Sequence, residues 1–336
     1  MLTVTLYSRK ECHLCDQTRQ DLESLQSLHP HKLVEVDIES NPGLFKTYLA
    51  EIPVLEIGPY VLKAPITLQS LKMTLGAAGD RRNHLEQLGD PVYKEKVRKG
   101  RLITSLDRFS FWLSRHYLLV LNFFMLLYAG LPVAAPVLMK AELDLPAKII
   151  YKIYSPLCHQ FGFRSFYLFG EQFYYPLEEA NLKGVTTFDQ ATGISGVDDP
   201  TSLTRLDARA FTGDEKLGYK MALCERDIAI YSTLLLFGLV FAVSGRRLKS
   251  LHWILWMLVG LGPIGLDGFS QLFSQFNLSW LAQVLPYRES TPFLRVFTGA
   301  LFGFCTAWFA YPNIEESMRE TRQVYVKRFA IAESSD

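Results

Sequence analysis

The hydrophobic pattern changes character about a third of the way along the chain. Residues 2–7 (Leu-Thr-Val-Thr-Leu-Tyr) alternate and are rich in β-formers, which predicts a strand. Leu22, Leu25 and Leu28 recur at threes and predict a helix that ends near His29-Pro30. Leu33 to Ile38 reads as a second strand, and Asn41-Pro42 opens a short helix through Tyr48 and Leu49. Ile52 to Ile57 is a third strand, interrupted near its start by Pro53. A further strand is expected near Tyr60-Val61-Leu62, and Thr67 to Leu75 closes the region as a helix. Residues 1–76 are therefore expected to form one small α/β domain.

From residue 116 onward the pattern is dominated by runs without charge. Residues 116–139 hold no Asp, Glu, Lys or Arg; 228–245, 250–266 and 296–314 are similar. A membrane span needs roughly 20 apolar residues, so 116–336 is expected to be an all-α membrane domain with four crossings. Residues 268–287 are also charge-free but carry Gln271, Ser274, Gln275, Asn277, Ser279 and Gln283. An amphipathic or re-entrant segment is expected there; were it to span, the last helix and tail would reverse.

Charge orients these runs. Net charge is +1, with 21% charged residues, which offers nothing to nucleic acid. Within the linker, 77–115, residues 94–115 hold Lys94, Lys96, Arg98, Lys99, Arg101, Arg108 and Arg115 against Glu95 and Asp107. Such a cluster before an apolar run marks a cytoplasmic flank and also suits anionic headgroups. Arg246, Arg247 and Lys249 belong on the same side. The loop 140–227 is expected outside, because Glu171 to Lys220 carries nine acidic and five basic residues. Met1 runs straight into a strand rather than a basic, apolar leader, so the N-terminal domain is expected to stay in the cytoplasm, as is the C-terminus.

Five cysteines are too few for a disulfide scaffold. Cys12 and Cys15 form a Cys-x-x-Cys pair at the strand-to-helix junction. Free N–H groups, the helix dipole, Arg9 and Lys10 all favour a thiolate there, while Asp16 opposes it. Three-residue spacing lets the pair close a disulfide, with Cys12 attacking and Cys15 resolving. Zinc held by Cys12, His13 and Cys15 is disfavoured because no second ligand pair lies nearby.

Tyr7-Ser8 before Cys12-His13-Leu14-Cys15-Asp16, then Val36-Asp37-Ile38 and Ile52-Pro53-Val54, resembles the glutaredoxin-like thioredoxin-fold family. The resemblance implies that Pro53 is cis, faces the cysteines and guides a substrate backbone. It also implies a protein dithiol or glutathione as partner. The Gly-Gly pair that follows the third strand in glutathione-using members is missing here.

Polar residues of the membrane region gather in four places: Cys158-His159-Gln160 with Arg164-Ser165; Cys224-Glu225-Arg226-Asp227; Leu266-Asp267-Gly268 with Gln271; and Arg288-Glu289-Ser290-Thr291 with Arg295 and Thr298-Gly299. Ionisable groups at membrane segments are costly unless paired or solvated, so a functional site is the default reading. This pattern resembles a family of small predicted membrane proteins with no assigned function, many of which carry a cysteine where this chain has Asp227. The resemblance implies an architecture and a site but no reaction. Thiolate, imidazole and carboxylate donors suit zinc or a similar divalent metal, which makes Cys158, His159, Cys224 and Asp267 candidate ligands, with Asp227 as the other carboxylate. Gln160, Arg164, Arg226, Asp227, Gln271, Arg288, Glu289 and Arg295 complete the expected outer site. Two plainer readings remain beside it: Asp267 as the partner of Arg288 or Arg295, and Cys158–Cys224 as an outer disulfide. Cys305, in mid-span, is expected only to pack.

These features favour a membrane-tethered thiol-disulfide oxidoreductase in the cell membrane. A metal-dependent membrane enzyme or metal-handling protein, with the first domain regulatory, is the alternative; a non-enzymatic scaffold or transporter is the third reading. A direct relay between Cys12 and Cys158 does not fit the expected topology, since only Cys305 lies between them and a dithiol relay needs two thiols.

Overall fold

The predicted alternation in β1 (Leu2–Ser8) sends Val4 and Leu6 to one face of a sheet and Tyr7 to the other. The computed structural model describes residues 2–40, 42–89, 102–199, 202–275 and 287–333. The basic run from Lys94 to Arg101 and most of the polar stretch after Ser274 (276–286) lie outside the described residues.

β1 pairs in parallel with β2 (His31–Asp37) and antiparallel with β3 (Val54–Ile57), which turns into β4 (Tyr60–Lys63); the order is β2-β1-β3-β4. Helices α1 (His13–Ser24) and α3 (Leu68–Gln87) supply Leu22, Leu25, Leu71, Leu75 and Ala78 to one face, against Val4, Leu6, Leu55 and Ile57. On the other face, Leu44, Phe45 and Tyr48 of α2 (Pro42–Tyr48) meet Tyr7, Val36, Ile38 and Val54. α3 continues past residue 76, because Ala78 extends the stripe begun by Leu71 and Leu75 and an Arg82–Glu86 pair supports the next turn.

Among the described residues, four helices are long and apolar enough to cross a membrane: α4 (Ser105–Lys140), α8 (Glu225–Val243), α9 (Trp253–Ser274) and α10 (Pro292–Glu333). They present large apolar side chains outward, among them Phe123, Phe124, Leu258 and Phe297, as lipid requires and water would not tolerate. The third runs from Trp253 to Ser274, past the expected crossing at 250–266, so residues 268–274 continue the same helix. α9 contains a π-helical stretch, Trp256–Leu261, where Gly260 abuts Cys305; a Cβ at Gly260 would lie 2.9 Å from that of Cys305.

In α4 and α10 three prolines interrupt the backbone ladder, and each freed carbonyl finds a donor. Pro132 releases the carbonyl of Tyr128, which accepts from the Tyr154 hydroxyl at 3.0 Å. Pro136 releases that of Pro132, which accepts from the Ala222 N–H at 3.2 Å. Pro312 releases that of Trp308, which accepts from the Leu251 N–H at 3.3 Å. Without these donors the carbonyls would be stranded in a setting that offers no water.

Two compact units emerge. One gathers Met1–Tyr117 with Glu316–Asp336, the other is Leu118–Glu315, so α4 and α10 each contribute to both. Within the first unit, Val326 and Ala330 of α10 pack beside Tyr7 and Val54, Lys327 pairs with Glu56, and Arg328 reaches Asp107 at 2.7 Å. The tail therefore lies against the N-terminal sheet.

Within the second unit, the loop between α4 and α8 is folded. Helix α5 (Asp144–Tyr154) buries Ala147, Ile150, Tyr151 and Tyr154. α6 (Phe188–Thr192), α7 (Thr204–Ala210) and a sheet of β5 (Tyr167–Leu168), β7 (Gly218–Lys220) and β6 (Gly213–Asp214) follow. The stretch 181–215, aperiodic in sequence, contributes Phe188, Val197 and Ala208 to a core with Phe163, Tyr167 and Tyr175.

Candidate functional site

In the first unit, the chain leaves β1 and turns through Glu11, which adopts a positive φ of 58°, into α1. Cys12 is the N-cap of that helix, and its sulfur accepts from the Cys15 N–H at 3.2 Å. The two cysteines form a disulfide in which Cys15 is buried and Cys12 partly exposed. A thiolate at Cys12 would therefore meet the free N–H groups and positive end of α1. Asp16, whose charge opposes that effect, is paired with Arg19 at 2.8 Å, and Arg19 also grips Glu35 at 2.6 and 2.9 Å. The Ile52–Pro53 bond is cis and Pro53 is buried. Because Val54 pairs with Tyr7, the register brings Pro53 to the end of β1 that leads to Cys12.

In the second unit, the expected polar residues separate into two ion-pair nests and a thiol cluster. Asp267 on α9 accepts from Arg226 at 2.5 Å, Arg288 at 2.8 Å and both ways from Ser290 at 2.8 and 2.9 Å. Glu289 accepts a two-pronged contact from Arg164 at 2.8 and 2.9 Å, a bond from Gln271 at 2.6 Å, and one from Arg295. Both carboxylates are buried and so need these partners. Glu225, 1% exposed, has only Arg295 at 3.9 Å, and neither of its oxygens has a hydrogen-bond partner among the described residues.

Cys158, Cys224 and Asp227 bring their ligand atoms within 4.8 Å of one another. Cys224 caps α8 and Asp227 sits one turn on, so both face the same way. The two thiols lie side by side, and their interaction holds the Cys158 thiol low and pushes that of Cys224 up. Asp267 does not join them, because its oxygens are already taken by arginine and serine. His159 stays exposed and stacks on Phe161 at 5.5 Å between ring centres. Gln160 turns inward instead, with a φ of 54°, and donates to the carbonyls of Tyr151 at 3.0 Å and Ala222 at 2.8 Å. A cavity of about 290 Å³ adjoins the thiols, lined by His159, Arg164, Arg226 and Arg295 among others.

Residues 3–76 match the family model described as Glutaredoxin-like domain (DUF836). Residues 207–309 match that of Predicted membrane protein (DUF2085). The chain joins a glutaredoxin-like domain to a predicted membrane-protein domain. No curated protein and no solved structure matches it. The match to the membrane-protein family opens at 207, so it includes Cys224, Asp267, Glu289 and Arg295 but not Cys158-His159-Gln160.

The glutaredoxin-like domain thus offers one exposed sulfur backed by a buried one. The membrane domain offers a thiol pair with a carboxylate at the mouth of a span. Sequence reasoning missed Lys220, a fully buried lysine whose ammonium donates to the carbonyls of Gln160 at 2.7 Å and Arg209 at 2.6 Å. Burial pushes it down to about 7. Its neighbours in sequence, Tyr219 and Met221, carry no signal of that role. Glu225 stood inside the Cys-Glu-Arg-Asp motif, and its isolation was invisible there.

Proposed function

We propose that the protein is a membrane-tethered thiol-disulfide oxidoreductase that works through Cys12 and Cys15. The observation that carries this is the Cys12 sulfur at the head of α1, partly exposed, bonded to a buried Cys15. In the reduced form the Cys12 thiolate attacks a substrate disulfide; one substrate sulfur leaves as a thiolate and the other stays bonded to Cys12. Cys15 then attacks the Cys12 sulfur, releases the second substrate thiol and regenerates the Cys12–Cys15 disulfide. The substrate gains two electrons and two protons, and an external dithiol or glutathione resets the pair.

The basic residues Arg246, Arg247 and Lys249 after the second span support a cytoplasmic placement of this chemistry. Lipid holds the domain near its substrate, so a protein disulfide close to the cytoplasmic face is the favoured target.

The full chain in detergent, supplied with a protein disulfide and either a thioredoxin- or glutathione-linked donor, tests the reading. Turnover should vanish in Cys12→Ser. A wild-type protein that turns over with neither donor would reduce the domain to a docking module.

A further inference from the structure

We propose that Cys158, Cys224 and Asp227 bind one divalent cation of the zinc class, with a fourth coordination position open to the adjoining cavity. The site is separate from the Cys12–Cys15 pair and does not depend on that pair being active.

Two sulfurs and a carboxylate oxygen held within 4.8 Å of one another form a ligand set that a divalent cation fills by displacing the thiol protons. A tetrahedral zinc ion, with sulfur at about 2.3 Å and oxygen at about 2.1 Å, needs its donors somewhat closer together than that limit. The two thiolates choose a borderline-soft ion over magnesium or calcium.

The donors are also held in place from outside. Cys224 and Asp227 belong to the first turn of α8. Cys158 follows α5, and its N–H bonds the Tyr154 carbonyl at 3.1 Å. Tyr154 is anchored in turn on the Tyr128 carbonyl. Gln160, two residues on, is pinned through Ala222 to the strand that leads to Cys224, and Lys220 holds its carbonyl. Both thiol-bearing segments are therefore tied to one frame, which is how outer partners keep metal ligands in register.

Asp267 and Glu289 are fully engaged by arginines, so neither competes for the ion. Arg226, whose Nε has no hydrogen-bond partner among the described residues, stands on the cavity wall with Arg164 and Arg295. Three protein donors and an accessible fourth position are the arrangement of zinc sites that act on a bound molecule rather than only brace a fold. The cavity supplies the entry path.

The test uses the full chain carrying Cys12→Ser and Cys15→Ser, which leaves the other thiols alone. After chelation, cobalt and zinc are added singly. The expected result is one equivalent of cobalt with a thiolate-to-cobalt absorption band, displaced by zinc. Zinc should raise the unfolding temperature. Cys158→Ser or Cys224→Ser should abolish the band. Asp227→Asn should keep a weaker band and lose zinc affinity by at least the roughly ten- to hundredfold that follows removal of an outer-shell partner. Asp227→Asn and the zinc-dependent stabilisation of the parent provide readouts that do not depend on the serine variants folding. His159→Ala should leave binding intact. An absent band in the parent, a band that survives Cys158→Ser, loss on His159→Ala, or a Cys158–Cys224 disulfide trapped by alkylation before lysis would each overturn the assignment.

Discussion

The Tyr154 hydroxyl donates to the Tyr128 carbonyl at 3.0 Å, in the place of the backbone bond that Pro132 removes from α4. Tyr154 closes α5, four residues before Cys158, so this bond links the proline-opened turn of α4 to the thiol cluster. Leu127 shares the same hydroxyl at 3.2 Å. Tyr154→Phe leaves the Tyr128 carbonyl unsatisfied and should cost about 1–3 kcal/mol. Unfolding in detergent measures it, and an unchanged midpoint would show that the freed carbonyl needs no donor.

Glu289 is the meeting point of Arg164, Gln271 and Arg295. Its removal strands a buried guanidinium at the end of a span. Glu289→Ala should destabilise the membrane domain by about 3–5 kcal/mol, the usual cost of breaking one side of a buried pair. Arg246→Ala, at the more exposed contact with Glu315 (3.5 Å), should cost clearly less. Equal losses in the two variants would argue against a tightly coupled nest.

Lys220 gives a pH signature. Its folded value is about 7, against an ordinary 10.5. Between these the unfolded chain binds a proton that the folded chain lacks, so stability from this group rises with pH. Below about 7 the burial penalty is present in full. Lys220→Met should flatten the rise between neutral and alkaline pH in detergent unfolding. A slope that the variant leaves unchanged would assign the titration elsewhere.

Val326 and Ala330 cover the sheet face that α2 leaves open. A charge in that contact should detach the tail while leaving the opposite core of Leu22, Leu55 and Leu71 intact. Val326→Asp is expected to speed hydrogen exchange in β3 (Val54–Ile57) and α2 much more than in α1. Equal protection in wild type and variant would mean that the tail contributes nothing to that face.

Trapping distinguishes the roles of the two N-terminal cysteines. Cys15→Ser should accumulate a mixed disulfide on Cys12, because nothing resolves it. Mass spectrometry after incubation with a disulfide substrate reads it directly, and adducts on Cys15 in Cys12→Ser would reverse the assignment.

Much of this molecule was determined by its sequence alone. Alternation in 2–7, the β-forming run at 52–57, Leu22 and Leu25 at helical spacing, the Cys-x-x-Cys pair and Pro53 specify the first domain, because local periodicity reports which face of an element is buried. Charge-free runs specify the spans, because lipid admits no unpaired charge. Tertiary structure alone decided which polar groups meet. Asp227 reaches the thiols because it lies one turn from Cys224, whereas Asp267, 41 residues beyond its partner Arg226, is claimed by arginines. The buried Lys220 and the tail on the N-terminal sheet have the same origin: each depends on partners distant in sequence, which no local period records.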